Sequence, residues 1–277
     1  MNRSSPSVGR TLHVLQFTDS HLLVHEDGLL KGTATWQTFR AVMERLMQTD
    51  PRPDFVLATG DLVHDGPRAV YRRLRERLDG LGAPVYVLPG NHDDPVLLAD
   101  VFRRWIRKTD QGAWNSGGVG EKESGGLVDF GWAVHGNWLI VPLNDVVPGR
   151  QHGLLDDREL ARMEALLRRH PGHHVLLCLH HHPVPFGRAG MDSIGLRNAE
   201  RFFSVVDGYP TVRGIVWGHI HNAFEARRGE VLLLGTPSTC FQFDANSEQI
   251  SPTEGPPGYR RLMLDPDGRI RSHVVWL

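Results

Sequence analysis

Five short segments of this sequence place metal-ligating and proton-transferring side chains directly after an apolar run. They are residues 17–21 (FTDSH), 59–65 (TGDLVHD), 89–94 (PGNHDD), 179–183 (LHHHP) and 217–221 (WGHIH). Asp, Asn and His supply the oxygen and nitrogen ligands that first-row transition metals accept. Each segment alone also fits a turn, a helix cap or an exposed polar stretch. All five together, each placed after an apolar run, indicate one shared site.

The spacing within two of the segments adds to this interpretation. Asp19 and His21 are two residues apart, and so are His219 and His221. On an extended chain, residues two apart point to the same side. We therefore expect both members of each pair to reach one metal ion or a close pair of ions.

Short apolar runs alternating with amphipathic segments must position these residues. Strands are predicted at 12–17, 54–59, 85–89, 174–180, 214–221 and 230–236, and helices at 35–48, 67–81, after Pro95 and at 156–170. Hairpins are predicted at 132–143, turning at Gly136 and Asn137, and at 258–277, turning at 265–268. The β-α-β-α-β start predicts α/β layers with a parallel core. Ligands bind such sheets where the carboxyl ends of the strands meet.

The rest of the chain shows no sign of a second domain. Residues 110–128 are rich in Gly, Ser and charged residues, which predicts a surface loop. We expect residues 1–10 to form a flexible N-terminus and residues 11–277 to form a single domain.

Composition excludes several classes of protein. Lys and Arg total 31 and Asp and Glu total 32, so the chain lacks the basic excess of a nucleic-acid binder. No apolar stretch approaches the length of a membrane span, and no signal peptide is evident, so stable membrane insertion is not expected. Two cysteines, Cys178 and Cys240, predict a reduced, cytoplasmic protein.

The candidate ligands are too numerous for one tetrahedral ion. They are Asp19, His21, Asp61, Asn91, His181, His219 and His221. This set suits two transition-metal ions that share a carboxylate, with iron or manganese expected and zinc or cobalt also compatible. A pair of metal ions is the usual apparatus for in-line displacement at phosphorus.

The order D-x-H, GD, GNHD, H-x-P and GHxH over residues 19–221 resembles the calcineurin-like metallophosphoesterase superfamily. Finer motifs are similar to those of the bacterial class III 3′,5′-cyclic-AMP phosphodiesterases, namely FTDSHL, LHHHPVP, SIGLRNAERF, GHIHN and TPSTCFQF. The resemblance implies a four-layer α/β/β/α sandwich of two mixed sheets.

The resemblance also implies two metal sites. Asp19, His21, Asp61 and His221 would hold the first metal, and Asp61, Asn91, His181 and His219 the second, with Asp61 as the bridge. His180 and His182 stay open as alternatives to His181. Asp65 stands one residue later than the second Asp of many superfamily members, which leaves its role open.

The activity implied is hydrolysis of 3′,5′-cyclic AMP to 5′-AMP by a hydroxide that bridges the metals, with His92 and Asp61 as catalytic residues. His92 would contact the phosphate and protonate the leaving oxygen, oriented by Asp65 or Asp93. The substrate-binding residues would be His21, Asp61, Asn91, His92 and His221.

Several alternatives stay open. The same metal centre would serve another phosphodiesterase or a phosphomonoesterase, acting on 2′,3′-cyclic nucleotides or glycerophosphodiesters. A metal-free interaction scaffold is a further alternative, although all seven ligand positions are present. The expected partner is a small nucleotide substrate, and the resemblance allows a homodimer. Phe241 and Phe243 would either stack on a base or pack in the core.

Overall fold

The computed structural model describes residues 9–48, 51–106 and 130–277. Its first sheet has five strands, in spatial order β15 (Ile270–Trp276), β14 (Gly258–Leu264), β1 (Leu12–Phe17), β4 (Phe55–Thr59) and β5 (Val85–Leu88). β1, β4 and β5 are parallel, and β14 is antiparallel to both of its neighbours, so the sheet is mixed. The three parallel strands therefore end at the same edge.

The second sheet has six strands. In spatial order they are β10 (Phe224–Arg228), β11 (Val231–Gly235), β9 (Val212–Trp217), β8 (His174–Cys178), β7 (Trp138–Pro142) and β6 (Ala133–His135). β7, β8, β9 and β11 are parallel, and the two edge strands are antiparallel. Two short pairs accompany the sheets: β2 (Leu29–Leu30) with β3 (Thr33–Ala34), and β12 (Gln242–Phe243) with β13 (Pro252–Thr253).

Helices cover the outer face of each sheet. They are α1 (Thr35–Met47), α2 (Arg68–Asp79), α3 (Pro95–Ile106), α4 (Asp157–Arg169), α5 (Ala189–Asp192) and α6 (Ala199–Val206). α1 to α3 pack on the first sheet, whereas α4 and α6 pack on the second. The predicted four-layer α/β/β/α sandwich is confirmed.

Successive side chains of a strand point alternately to the core between the sheets and to the helices, and this alternation produces the layers. In β4, Phe55 and Leu57 belong to the core between the sheets, whereas Val56 and Ala58 pack against the helices. Successive strand residues point to opposite faces. A strand that is covered on both faces is therefore apolar throughout, as β4 is.

The predicted elements are present with small shifts at their ends. The hairpin at Gly136 and Asn137 is confirmed, and Gly136 has the positive φ of 57° that such a turn requires. Two strands end earlier than predicted: β8 ends at Cys178 and β9 at Trp217. The histidines that follow them are therefore in loops. The loop predicted at 110–128 and most of the N-terminus predicted at 1–10 lie outside the described residues.

Among the described helices, none combines the length and apolar character needed to cross a membrane.

Candidate metal centre

The candidate ligands lie in five loops that follow parallel strands. Loops after β1, β4 and β5 carry Asp19, His21, Asp61 and Asn91, and loops after β8 and β9 carry the histidines of the second sheet. Because the two sheets face each other, these loops meet at one end of the sandwich. The structure therefore brings these loops together, with contributions from both sheets.

The backbone at the ligands is left-handed rather than extended. The described part of the chain has seven non-glycine residues with positive φ, and among them are Asp19 (53°), His21 (43°), Asp61 (49°), His219 (67°) and His221 (47°). The expectation that each pair lies on an extended chain is therefore wrong. Left-handed backbone costs roughly 1–2 kcal/mol at each non-glycine residue, so the surrounding structure must hold these conformations.

Hydrogen bonds between neighbouring loops hold this strained backbone. The Asp19 N–H donates to the carbonyl of Gly60 (2.9 Å), and the His21 N–H donates to the carbonyl of Asp61 (2.8 Å). From the second sheet, the His219 N–H donates to the Asp19 carboxylate (3.0 Å to Oδ2). These bonds join three of the five loops.

Two glycines allow the loops to approach this closely. A Cβ on Gly60 would lie 2.3 Å from His180 Nδ1, and Gly60 also has a positive φ of 92°. A Cβ on Gly218 would lie 2.0 Å from the hydroxyl oxygen of Thr18. Any side chain at either position would push the two sheets apart at the site.

Asp19, His21 and His221 form the first cluster of donors. His21 Nε2 lies 3.1 Å from His221 Nε2 and 3.6 Å from Asp61 Oδ2, and His221 Nε2 lies 3.3 Å from Asp19 Oδ1. Burial lowers the pKa of His21 to about 3. The ring is therefore neutral at physiological pH and keeps a lone pair for a cation.

His180, His219, Asn91 and Asp61 form the second cluster. His180 Nε2 lies 3.5 Å from Asp61 Oδ2. Within the described residues, His180 Nε2, His219 Nε2 and Asn91 Oδ1 are buried and have no hydrogen-bond partner. Unpaired buried polar atoms are rare because each forfeits its hydration. The ligand atoms of His180, His181 and His219 lie within 4.8 Å of one another, and so do those of Asp19, Asp61 and His180, which matches the donor set of a metal site.

The charge of Asp61 dominates this cluster. Burial disfavours the protonated His180 ring, but the Asp61 carboxylate outweighs burial and raises the pKa of His180 to about 10. Burial also opposes ionisation of Asp61, yet His180 and His21 hold the pKa of Asp61 well below its usual value. The lone pair of His180 that takes this proton is the same lone pair that a metal ion would use.

The three consecutive histidines have different surroundings. The ring of His181 is engaged at both nitrogens, with Nδ1 3.0 Å from Asp145 Oδ1 and Nε2 3.1 Å from the Gln151 carbonyl. His182 stacks against His219, with ring centroids 5.7 Å apart. His180 alone of the three forms an ion pair with Asp61. The geometry thus brings His180, one of the alternatives left open above, to the shared carboxylate.

His92 lies at the rim, close to the first cluster. Its Nδ1 is 3.1 Å from Asp65 Oδ2, and its ring stacks on that of His64 at 4.3 Å. The centroid of the His21 ring is 5.1 Å away. Its side chain is 29% exposed, so a bound substrate can reach it.

Asp93 has a different role from Asp65. Its buried carboxylate accepts hydrogen bonds from the N–H groups of Leu62, Val63 and Gly90 and from the Tyr71 hydroxyl, all at 3.0–3.1 Å. Asp93 therefore ties the loop after β4 to the loop after β5. Of the two carboxylates expected to orient His92, Asp65 is the one in contact with it.

The aromatic residues of the 236–243 segment pack against the ligands. Phe243 stacks on His221 at 4.3 Å, and Phe241 lies 4.9 Å from the same ring. Phe241 is only 7% exposed and Cys240 only 2%. Of the two alternatives for Phe241, packing is the one this burial matches.

One residue of the site was not predicted, and for a second the contact was not predicted. Asp145 is fully buried and bonds both the N–H and the ring of His181. It follows the apolar strand β7, so the signal that identified the other five loops was present there as well. His64 was part of a predicted motif, but its contact with His21 Nδ1 (3.1 Å) is visible only in the structure.

Comparisons with known proteins agree with this geometry. Residues 12–223 match the family model for calcineurin-like phosphoesterases. The chain is 35% identical to the 3′,5′-cyclic adenosine monophosphate phosphodiesterase CpdA of Pseudomonas aeruginosa, over 98% of this chain and 92% of the relative. It is also 35% identical to a 3′,5′-cyclic-nucleotide phosphodiesterase of Nostoc, over 93% of this chain and 89% of the relative.

Solved structures share the fold at lower sequence identity. A dimetal phosphatase from Danio rerio superposes with a TM-score of 0.60 at 13% identity, covering 96% of this chain and 98% of that chain. The family model spans most of the chain, and two relatives exceed 30% identity over nearly its whole length. The chain therefore belongs to the calcineurin-like phosphoesterase family.

Proposed function

We propose that this protein is a metal-dependent phosphodiesterase that hydrolyses 3′,5′-cyclic AMP to 5′-AMP. The observation that carries the reaction class is the set of buried Asp, Asn and His donors that both sheets contribute around Asp61. The names of relatives that align over almost the whole chain support the cyclic-nucleotide substrate.

The residues present fit a pair of transition-metal ions. Asp19, His21, Asp61 and His221 would hold one ion. Asp61, Asn91, His219 and one histidine of the 180–182 run would hold the other. We assign that histidine as His180, because its Nε2 faces Asp61 Oδ2 at 3.5 Å. Both nitrogens of His181 are engaged by other groups, and His182, whose ring nitrogens also have no hydrogen-bond partner, stacks on His219 rather than facing Asp61. Iron or manganese suits this mixed donor set, and zinc or cobalt is also compatible.

When bound, the two metals would acidify a water molecule and supply positive charge to the phosphate. The chain itself supplies the proton for the leaving group. His92 is a partly exposed titratable group next to the cluster, and its Nδ1 contacts Asp65. This contact leaves Nε2 as the nitrogen that donates a proton to the departing 3′ oxygen.

Neighbouring groups fix the positions of the reacting side chains. The backbone N–H of His92 donates to Asp61 Oδ1 (2.8 Å), which links the residue that would donate the proton to the carboxylate that both ions would share. His221 Nδ1 lies 2.6 Å from the Phe241 carbonyl and His180 Nδ1 lies 2.9 Å from the Thr59 carbonyl. Each ring therefore presents Nε2 to the site.

The test is product-resolved hydrolysis of 3′,5′-cyclic AMP by metal-reconstituted protein, with and without a chelator. We expect 5′-AMP as the sole product, and we expect the chelator to abolish its formation. Asp61→Asn keeps the shape of the side chain but removes the shared charge, so activity should fall by several orders of magnitude. Asp79→Asn, an exposed change on α2, is the control and should behave as the wild type.

The outcomes separate the alternatives. The protein could hydrolyse 2′,3′-cyclic AMP, a glycerophosphodiester or a phosphomonoester in place of 3′,5′-cyclic AMP. That result would support the metal centre but contradict the proposed substrate. Folded protein that binds no metal and hydrolyses none of these esters would identify a scaffold and overturn the proposal.

A further inference from the structure

A cleft of about 750 Å³ opens directly beside His92 and Asn91. One wall consists of residues 65–66 and 91–96, and the other consists of residues from 144 to 156, between β7 and α4. This volume lies within the range of roughly 300–1,000 Å³ that small-molecule sites occupy. The cleft thus continues outward from the reacting groups.

The cleft exposes apolar side chains. Val96 is 51% exposed and Leu154 is 40% exposed, and both line it together with Val146 and Val147. Two of the eight large hydrophobic side chains that are exposed among the described residues therefore line this cleft. Such a lining suits a flat, weakly polar ring system rather than a charged group.

Away from His92 and Asn91, the charge of the cleft disfavours a phosphate group. The residues that line it include Asp65, Asp94 and Asp156 and, in the described part of the chain, no Lys or Arg. A phosphodiester would be repelled there and attracted instead to a metal-loaded centre. The part of a cyclic nucleotide that carries no charge and bears hydrogen-bond donors is its nucleoside.

Two of these carboxylates have fixed positions. Asp94 Oδ1 accepts from the N–H groups of Val96 and Leu97, and Asp156 Oδ1 accepts from the N–H of Glu159. Each carboxylate is therefore held at the first turn of a helix beside the cleft. Their remaining oxygens suit the amino group of a base or the hydroxyls of a ribose.

We propose that this cleft is the nucleoside subsite, in which the base lies against Val96 and Leu154 while the phosphate remains at the metal centre. The proposal rests on the proposed cyclic-nucleotide activity. It also agrees with the position of His92, since a ribose whose 3′ oxygen takes the His92 proton must lie on this side. On the side of His221, Phe241 and Phe243 pack against the His221 ring.

The experiment compares a ligand with and without a nucleoside. Titration calorimetry of metal-loaded protein gives the Kd of 5′-AMP and the Kd of inorganic phosphate for the wild type, Val96→Asn and Leu154→Gln. We expect the variants to weaken 5′-AMP binding roughly tenfold, the lower end of what an apolar pocket contact contributes, and to leave phosphate binding within about twofold. KM for cyclic AMP should rise in parallel.

The control is Met47→Gln, which also replaces a large exposed apolar side chain. Met47 is the last residue of α1 and shortly precedes the start of β4, so it lies near the ends of the strands that are opposite to the site. Met47→Gln should leave the Kd of 5′-AMP and the Kd of inorganic phosphate unchanged.

The two proposals fail separately. If the wild type hydrolyses cyclic AMP but the variants keep the wild-type ratio of 5′-AMP to phosphate affinity, the subsite is refuted. If the wild type hydrolyses no cyclic nucleotide yet both variants lose 5′-AMP affinity selectively, the subsite stands and the reaction is refuted.

Discussion

At the scale of single residues, neighbouring histidines of one loop differ in the groups they contact. His180 and His181 are both fully buried, but His180 Nε2 faces Asp61 whereas His181 binds Asp145. Removal of each ring should therefore have a different consequence. Removal of the His180 ring should reduce metal binding, whereas removal of the His181 ring should reduce the stability of the fold.

We expect His180→Ala to lose at least one of the two metal ions, and His181→Ala to retain both. His181→Ala should instead lower the free energy of unfolding by about 1–3 kcal/mol, because Asp145 loses a buried hydrogen bond. Metal content and thermal unfolding of chelator-treated protein measure the two effects. Full metal content in His180→Ala together with loss of metal from His181→Ala would reverse the assignment.

His64 contacts the ring nitrogen of His21 that faces away from the first cluster. His21 Nδ1 lies 3.1 Å from His64 Nδ1. A metal ion on His21 Nε2 would leave the ring proton on Nδ1, from which it would donate to His64 Nδ1. A bond of this kind orients a ligand and raises its basicity. We expect His64→Leu to weaken metal binding by about 10–100-fold, as measured by competition with a chromophoric chelator.

The conservative variant decides whether this effect is specific. His64→Gln provides an amide oxygen that can accept the same proton, so it should recover part of the lost affinity. Equal metal affinity in His64→Leu and the wild type would show that the His21 contact has no role in metal binding.

At the scale of elements, the two sheets are joined by polar contacts as well as by their apolar core. The side chain of Gln16 on β1 donates to the Trp217 carbonyl at 3.1 Å and accepts from the Thr236 hydroxyl at 2.7 Å. Both partners belong to the second sheet or to the segment that follows it. Gln16 thus aligns the ends of β1 and β9, from which the ligand loops begin.

The β6–β7 hairpin makes a second contact between the sheets. His135 on β6 stacks on Phe55 at 4.4 Å, and its Nε2 lies 2.6 Å from the Tyr86 hydroxyl. Burial lowers the pKa of His135 from 6.5 to about 4. Between these two pH values the unfolded chain holds a proton that the folded chain does not, so the contribution of His135 to stability is complete above pH 6.5 and is lost as the pH falls toward 4.

Between pH 7 and pH 5, the free energy of unfolding should fall less in His135→Gln than in the wild type. We expect the two decreases to differ by on the order of 1 kcal/mol. Urea unfolding at each pH measures this difference. His25→Gln, which removes an exposed histidine from the loop before β2, is the matched control. Parallel pH profiles for wild type and His135→Gln would contradict the prediction.

At the scale of the whole molecule, the candidate metal centre lies between the sheets. Asp19, His21, Asp61 and Asn91 come from loops of the first sheet, and His180, His219 and His221 from loops of the second. Binding of metal by the folded state alone would therefore hold the two halves of the sandwich together. Loss of metal should weaken the whole fold.

We expect metal at 100 times its Kd to stabilise the folded chain by about 2.7 kcal/mol, which corresponds to a rise in Tm of at least about 5 °C for a domain of this size. Calorimetric scans with chelator and with manganese measure this shift. Asp61→Asn should show a much smaller rise. An equal rise in that variant would place the stabilising ion elsewhere.

The sequence by itself determined the layers and the kind of site. Apolar runs such as 54–59 are local signals for buried strands, and the side chains directly after them necessarily meet at one edge of parallel strands. The order of the five motifs was sufficient to indicate the family. Asp19, His21, Asp61, His219 and His221 were placed at the site by these signals alone.

Only the tertiary structure decided how individual side chains are used. The choice between His180 and His181 depends on Asp61, Thr59 and Asp145, which are distant along the chain. The left-handed backbone of the ligand loops depends on bonds from neighbouring loops, so no local pattern could reveal it. Burial of Phe241 and the opening of a cleft beside His92 likewise follow from packing between segments. A one-dimensional pattern records which residues end a strand, whereas the direction of each side chain is set by contacts that exist only after folding.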